Sequence, residues 1–217
     1  MLRVEFHCHT IHSKDSLQRV ENLLAACARS GIDRVVITDH NTTAGALAAK
    51  ALDPQRVIVG EEIMTRQGEL LAAFVTEEIP AGLPAGEALA RLKAQGAFIS
   101  VSHPFDTLRS GGWAEQDLLA ILPQVDAVEV FNARCFPQIF NRRAAAFADA
   151  HGLAGTAGSD AHAAFEVGRA VMRLPDFEDA AGLRAAIQHA EYETRPSSPL
   201  VRLASRWATL RKAVRRG

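Results

Sequence analysis

The feature that most constrains the fold is a phrase that occurs three times, at 20–40, 86–104 and 141–162. Each copy consists of an amphipathic helix, a glycine, a short strand, and then an acid or a histidine. Glycine is the usual residue at the left-handed position where a helix stops and the chain reverses. Strands that alternate with helices of this length predict βαβ units and a largely parallel sheet. We therefore expect an α/β fold.

The remaining elements bring the strand count close to seven. Further strands are predicted at 3–9, 56–63, 69–75 and 127–132, and further helices at 43–52, 115–122 and 177–190. A count near seven suits a closed or distorted barrel better than an open sheet. The chain is long enough for one such domain. We place the barrel at residues 1–195, followed at 196–217 by a basic amphipathic helix that packs on the barrel or extends from it.

Composition excludes some functions and locations. The 217 residues carry a formal net charge of −1 with an isoelectric point near 6.7, which gives no overall attraction to nucleic acid or anionic membrane. Cys8, Cys27 and Cys135 are odd in number and form no C-x-x-C motif, so we expect free thiols. No stretch has the character of a secretion signal or a membrane span. These features predict a cytoplasmic protein with no membrane span.

Polar residues recur at the predicted C-terminal ends of strands. They are His7, His9, Asp39, His40, Glu61, Glu62, His103, Asn132, Asp160 and His162. In a parallel barrel these ends converge on one face, where active sites are assembled from several strands. Alternate residues of a strand share a side, so the imidazoles of His7 and His9 can reach one ion. Because neutral imidazoles and carboxylates are ligands of hydrolytic Zn²⁺, Mn²⁺ and Fe²⁺, the pattern predicts a metal cluster.

The order of the motifs resembles that of the PHP (polymerase and histidinol phosphatase) family. The residues that carry the resemblance are HCHT with SKDS, then ITDHN, GEEI, SHPFD and GSDAH, which together span residues 7 to 162. The resemblance implies a distorted (β/α)7 TIM-like barrel, a trinuclear metal site and the hydrolysis of phosphate esters. It also implies a division of the ligands among the metals.

By this resemblance, one metal is held by His7, His9, Glu62 and Asp160. Glu62 bridges to a second metal, which His103 also holds, and a third is held by Asp15, His40 and His162. Many relatives carry a further histidine where this chain has Glu69, so Glu69 is an open candidate for the second metal. A carboxylate there favours Mn²⁺ or Fe²⁺ over Zn²⁺. Glu61 is expected to face away from the site, and Asp39 to support it.

Two arginines follow predicted strand ends and are candidate phosphate ligands. A guanidinium fork suits phosphate oxygens, and both Arg109 and Arg134 stand close to the motifs. The alternative for each is an ordinary salt bridge at the surface. His12 is expected in a solvated loop, and His151 and His189 at the surface of helices.

These residues predict a metal-dependent phosphoesterase with two or three Mn, Fe or Zn ions. A metal-bound hydroxide would attack a small phosphomonoester, a nucleotide or an oligonucleotide end, with Glu62, His103, Asp160, Arg109 and Arg134 as the catalytic set. The chain contains no G-x-S-x-G or C-x₅-R nucleophile motif. Two alternatives stay open: an amidohydrolase-like enzyme acting on C–N or ester bonds, and a metal-binding module without activity. A homodimer is also possible.

The last twenty residues predict a helix with one apolar stripe, Leu200, Leu203, Trp207, Leu210 and Val214. The other positions are strongly basic: Arg202, Arg206, Arg211, Lys212, Arg215 and Arg216. We expect the stripe to close the barrel floor or a dimer, away from the chemistry. The alternatives are an anionic membrane surface and attraction of a polyanionic substrate such as nucleic acid.

Overall fold

The computed structural model describes residues 1–214, which form nine strands and seven α-helices. The strands are β1 (Leu2–Cys8), β2 (Arg34–Ile37), β3 (Val57–Met64), β4 (Glu69–Ala73), β5 (Phe98–Val101), β6 (Ala127–Asn132), β7 (Ala154–Gly158), β8 (Ala170–Leu174) and β9 (Glu191–Thr194). The helices are α1 (Val20–Arg29), α2 (Ala44–Leu52), α3 (Ala85–Ala94), α4 (Glu115–Ile121), α5 (Ile139–Ala150), α6 (Ala180–Ala186) and α7 (Val201–Val214).

The strands form one sheet that curls into a nearly closed barrel. Their order is β7-β6-β5-β4-β3-β2-β1-β8-β9. Closure occurs where the chain after β7 returns to β1, through a parallel bridge between Cys8 and Ala161. At this seam a Cβ on Gly158 would lie 2.3 Å from the Cβ of His7. The glycine is therefore needed for the seam to close. The expected α/β fold, a distorted barrel in a single domain, is confirmed.

The sheet is mixed and not largely parallel as expected. Among the described residues, four of the eight strand pairings are antiparallel. The turn between β3 and β4 spans only residues 65–68, which is too short for a parallel crossover, so β4 reverses direction. β8 and β9 pair antiparallel beside β1 and account for the excess over seven strands. Both lie beyond the last repeat of the helix–glycine–strand phrase.

Apolar side chains fill the barrel below the strand ends. Phe6 on β1 and Phe98 on β5 meet edge to face, with ring centroids 5.6 Å apart. Because three strands separate β1 from β5 in the sheet, this contact crosses the interior. Both rings are fully buried, and each such side chain stabilises the fold by roughly 1.5–3 kcal/mol. The interior of the barrel is therefore packed with apolar side chains at this level.

The predicted helix at 177–190 is shorter than expected. The carboxylate of Asp179 accepts a hydrogen bond from the backbone N–H of Gly182 at 2.7 Å, so the helix begins at Ala180. An aspartate at this position satisfies an N–H group that has no partner within the helix. Residues 187–189 then continue as a 3₁₀ turn.

The C-terminal helix α7 docks through the face opposite to the one expected. Val201 and Ala208 are buried against the barrel. The apolar stripe stays 58–82% exposed: Leu200, Leu203, Trp207, Leu210 and Val214. The expectation that this stripe closes the barrel floor is wrong. Arg215 and Arg216, the last two basic residues of the predicted helix, lie outside the described residues.

Polar contacts fix α7 over the end of the barrel where the motifs meet. The Arg202 guanidinium donates to the Asp106 carboxylate at 3.1 Å, and Ser205 Oγ accepts from Arg134 at 2.9 Å. Lys212 donates to the carbonyl oxygens of Ile11 and Ser13. The tail therefore lies beside the candidate site, contrary to expectation. Within residues 1–214, no helix has the length and apolar character that crossing a membrane requires.

Candidate metal centre

All nine predicted metal ligands lie at one end of the barrel. They are His7 in β1, His9 just after it, Asp15 in the following loop, His40 after β2, Glu62 in β3, Glu69 in β4, His103 after β5, and Asp160 and His162 after β7. Asp160 adopts a left-handed backbone, with φ of 51°. This conformation is uncommon outside glycine and persists where the surroundings fix it. The structure thus brings together residues that are up to 155 positions apart.

Glu62 lies at the centre of the cluster. Its Oε1 is 3.4 Å from His7 Nε2 and 3.3 Å from His103 Nε2, and its Oε2 is 2.9 Å from His40 Nδ1. In three sets of residues the candidate ligand atoms all lie within 4.8 Å of one another: His7, His9 and Glu62; His40, Glu62 and Glu69; and His9, His40 and His162. Glu62 belongs to two of these sets, which is the arrangement a bridging carboxylate requires.

Glu69 reaches the centre because β4 runs antiparallel. The first residue of β4 lies at the same end as the last residues of β3, and Glu69 pairs with Met64. Its Oε2 is 3.4 Å from His103 Nε2. A Cβ on Gly111 would lie 1.8 Å from that same Oε2. With any larger residue at position 111, the Glu69 side chain would have to move from this position.

Hydrogen bonds orient the histidines toward the shared centre. Glu129 Oε1 is 2.9 Å from His7 Nδ1, and the Asp160 carbonyl oxygen is 2.9 Å from His162 Nδ1. In both rings the Nε2 atom is left facing the cluster. Metal-binding histidines commonly have their other nitrogen held in this way. Glu129 also accepts from the His103 backbone N–H at 2.9 Å.

Sequence reasoning did not identify Glu129. Its signal was a lone carboxylate inside the apolar strand AVEVFN, where a buried charge requires partners. Ser102, which donates to Glu62 Oε1 at 2.8 Å, was also missed. A serine beside a buried strand carries no comparable signal, because short hydroxyl residues are common at strand ends.

Asp39 supports the site through Ser13. Ser13 Oγ donates to Asp39 Oδ1 at 2.6 Å and lies 3.0 Å from His9 Nδ1. The Thr10 backbone N–H donates to the same Asp39 oxygen at 2.6 Å. The side chain therefore links the loop after β1 to the end of β2 and fixes the His9 ring. Its predicted supporting role agrees with these contacts.

We expect Asp39→Asn to lower metal affinity by about 10- to 100-fold, the usual effect of removing a group that orients a ligand. The amide cannot accept from both Thr10 and Ser13 as strongly as the carboxylate does. Isothermal titration with Mn²⁺ measures the effect, and circular dichroism checks the fold. Asp33→Asn is the matched control, because Asp33 accepts from Arg3 elsewhere on the protein. Equal affinities in the two variants would contradict the role of Asp39.

The charges of the cluster depend on one another. Burial opposes ionisation of Glu62 and Asp160, yet neighbouring cations hold the pKa of each carboxyl well below its usual range, His7 for Glu62 and Arg109 for Asp160. Burial, with His162 and His40 nearby, lowers the pKa of His9. For His7 and His40 the nearby carboxylates outweigh burial and raise the pKa. Without metal, the nearby carboxylates therefore favour the protonated form of these two rings.

We expect metal binding to release protons and to weaken as the pH falls. Imidazole binds metal only when neutral, so ions must displace the protons that the raised pKa values keep on His7 and His40. The affinity for Mn²⁺ should therefore fall as the pH is lowered from 8 to 6. Titration calorimetry in two buffers of different ionisation enthalpy counts the released protons. A buffer-independent heat at neutral pH would contradict the expectation.

The residues fit a metal site. In the described part of the chain, seven buried polar side-chain atoms have no hydrogen-bond partner. Four of them belong to the predicted ligands: Asp15 Oδ1, Glu62 Oε2, His103 Nδ1 and His162 Nε2. Glu62 Oε2 and His162 Nε2 have close charged neighbours, His40 at 2.9 Å and Asp15 at 3.2 Å, but these contacts lack hydrogen-bond geometry. Unpaired buried polar atoms are costly unless a further group completes them. A cluster of five imidazoles and four carboxylates supplies the donors that divalent metals require.

The two candidate arginines have different surroundings. Arg109 donates to Asp160 and lies 3.1 Å from Asp106, and its side chain is 22% exposed. Arg134 is buried and forms a two-point pair with Glu166, at 2.7 and 2.9 Å. In Arg134 the guanidinium group predicted to bind phosphate is therefore already paired with the Glu166 carboxylate. For Arg109 part of the side chain faces the open cleft above the ligands.

The other histidines and Glu61 lie as expected. His12, His151 and His189 are exposed. Glu61 faces away from the cluster, and its Oε2 accepts from the Ile79 backbone N–H at 2.9 Å. Burial raises the pKa of Glu61 to about 8. Because side chains alternate along a strand, Glu62 points toward the cluster and Glu61 toward the core.

Comparison with known proteins identifies the family. The PHP domain model matches residues 5–82, and the PHP-associated model matches residues 138–192. An uncharacterized protein of Methanocaldococcus jannaschii is 39% identical over 178 residues, which cover 81% of this chain and 71% of that protein. The chain belongs to the PHP domain family.

Solved structures of low identity share the fold. One is a two-domain protein of Bacteroides vulgatus that contains a predicted PHP-like metal-dependent phosphoesterase. It has a TM-score of 0.72 and 18% identity, and the match covers 89% of this chain and 65% of that one. Another is an amidohydrolase of Chromobacterium violaceum, with a TM-score of 0.58, 14% identity, and coverage of 93% and 95%. At these identities the PHP-domain chain shares the architecture with both.

Proposed function

We propose that this PHP-domain protein is a metal-dependent phosphoesterase that hydrolyses phosphate esters. The observation that carries the proposal is the convergence of nine imidazole and carboxylate side chains, with Glu62 at their centre, at one end of the barrel. We further propose two or three metal ions, with Mn²⁺ or Fe²⁺ favoured because the ligands include Glu69, a carboxylate. The PHP family membership supports the reaction class.

The residues divide into metal-holding and phosphate-orienting groups. His7, His9, Asp15, His40, Glu62, Glu69, His103, Asp160 and His162 would hold the ions. Ions at such a site supply hydroxide at neutral pH and offset negative charge on phosphoryl oxygens. The protein's own contribution is to fix these ligands and to keep Asp160 and Glu62 ionised.

Basic side chains surround the opening above the ligands. The opening is a cleft of about 300 Å³, called the cationic cleft from here on, and it is lined by Lys14, Arg109, Arg134, Arg202 and Arg206 among others. A guanidinium can hold phosphoryl oxygens at two points. Arg109 is the best placed, because its side chain is 22% exposed at the cleft, whereas Arg134 is buried in its pair with Glu166. The cleft therefore favours a substrate with an exposed phosphate, such as a small phosphomonoester, a nucleotide or an oligonucleotide end.

A substrate panel with purified protein tests the proposal. Chelated protein, supplied in turn with Mn²⁺, Fe²⁺, Zn²⁺ and Mg²⁺, is assayed on phosphomonoesters, nucleotides, 5′-phosphorylated oligonucleotides, carboxylic esters and amides. We expect phosphate release that depends on Mn²⁺ or Fe²⁺. Turnover of the esters or amides alone would favour the amidohydrolase alternative. Metal binding without any turnover would favour a module that binds metal but has no activity.

A further inference from the structure

A second cavity lies between α7 and the barrel, next to the cationic cleft. Its volume is about 230 Å³, and its apolar lining comes from Leu17, Ala163, Ala164, Ala204, Trp207 and Ala208. We call it the α7 pocket. None of the described residues that line it is a lysine or an arginine. It therefore differs in chemistry from the cationic cleft.

The α7 pocket adjoins the metal ligands. Asp15 and His162 line both the pocket and the cationic cleft, and so does Ser205 of α7. Asp15 Oδ2 and His162 Nε2 are 3.2 Å apart. One molecule that spans these side chains would have a charged end among the arginines and an apolar end beneath α7.

We propose that the α7 pocket binds the leaving group of the phosphate ester, and that it selects a flat apolar group such as an aryl ring. The inference rests on the proposed phosphoesterase function. An apolar cavity of about 150 Å³ is sufficient to bind benzene, so the pocket has room for one ring. Trp207 lines the pocket while 62% exposed, which leaves its indole free to stack on an aromatic ligand.

The pocket also accounts for the small side chains of α7 at positions 204 and 208. The helix carries small residues, Ala204 and Ala208, beside Trp207 where it lines the pocket, and Leu200, Leu203 and Leu210 lie outside the lining. Small side chains leave the cavity open, whereas a large residue at position 204 would fill it. The selectivity for the leaving group is therefore set by a helix outside the strand-end motifs.

Filling the pocket tests the proposal. Ala204→Phe places a ring in the α7 pocket, and Ala213→Phe is the matched control, because Ala213 is exposed on the same helix and does not line the pocket. The substrates are phenyl phosphate and methyl phosphate, assayed with Mn²⁺. We expect Ala204→Phe to lower kcat/KM for phenyl phosphate by about tenfold, the scale of a lost apolar contact. Methyl phosphate turnover should stay unchanged, as should both activities of Ala213→Phe.

Binding provides a second readout that does not require turnover. Phenylphosphonate, which is not hydrolysed, should bind the Mn²⁺-loaded wild-type protein about tenfold more tightly than methylphosphonate, as measured by calorimetry. Trp207→Ala should reduce this preference without loss of thermal stability, because the side chain is exposed. Trp207→Ala serves as the second variant if Ala204→Phe does not fold.

The outcomes separate the two proposals. Phosphate release with no preference for phenyl over methyl esters would overturn the α7 pocket and leave the phosphoesterase function standing. Absence of phosphate release from every ester would overturn the phosphoesterase function. In that case equal binding of the two phosphonates would overturn the pocket as well, whereas a preference lost in Ala204→Phe would support it as an aryl site.

Discussion

Glu62→Gln is expected to lower kcat/KM on phosphate esters by about a thousandfold or more. The carboxylate contacts His7, His40 and His103, and two of the three ligand sets include it. The amide has the same shape but lacks the charge and offers one oxygen instead of two. Loss of several kcal/mol of charge stabilisation by metal corresponds to at least this factor. Activity and metal content by mass spectrometry are measured on the same samples.

The adjacent residue provides the control. Glu61→Gln makes the same chemical change one position earlier, on the opposite side of β3, and its amide can still accept from the Ile79 N–H. We expect it to keep the metal content and the activity of the wild-type protein. If Glu62→Gln retained the full metal content and turnover, the cluster would have no role in the reaction. If both variants lost activity equally, the effect would come from disruption of β3.

The sequence was sufficient to predict most of the cluster because strand ends in a barrel converge. His7, His40, His103 and Asp160 follow from local patterns, since each stands at or next to the end of a recognisable strand. Glu69 does not follow in this way, because it begins a strand. Its place in the cluster depends on the reversal of β4, and a four-residue turn produces that reversal.

The C-terminal helix shows what a periodic pattern leaves undecided. Spacing of three and four residues correctly predicts a helix with an apolar stripe, but it does not predict which face contacts the barrel. Burial of Val201 and Ala208 and the polar contacts of Arg202 and Ser205 determine the docking. Their partners, Asp106 and Arg134, lie about 70 to 100 positions away along the chain. A window of twenty residues contains no information about such partners.

Arg134 shows the same limit, because the local sequence predicts a phosphate ligand and a distant residue determines its contacts. Its position after β6 is typical of a ligand-binding residue, and Glu166, the carboxylate that occupies its fork, lies 32 residues further on. Glu166 also accepts from the His162 backbone N–H at 3.3 Å. The pair therefore connects the chain after β6, the loop that carries His162, and α7. These contacts favour a role in stability over a role in phosphate binding.

Arg134→Ala is accordingly expected to lower the free energy of unfolding by about 3–5 kcal/mol. Both members of the pair are buried, with side chains 4% and 1% exposed, and removal of one leaves the Glu166 charge buried without its partner. Urea denaturation measures the loss. Arg173→Ala is the matched control: its pair with Glu191 is exposed at 45% and 62%, and pairs of this kind contribute about 0–1 kcal/mol.

A double variant separates loss of the pair from loss of a phosphate ligand. Arg134→Met with Glu166→Gln removes both charges, so we expect it to recover much of the stability that Arg134→Ala loses. If Arg134 acts only through the fold, the double variant also regains turnover at temperatures well below its melting point. If the recovered fold still had a raised KM for phosphate esters, the arginine would contact the substrate after all. Stability and KM thus report on different partners of one guanidinium, Glu166 and phosphate.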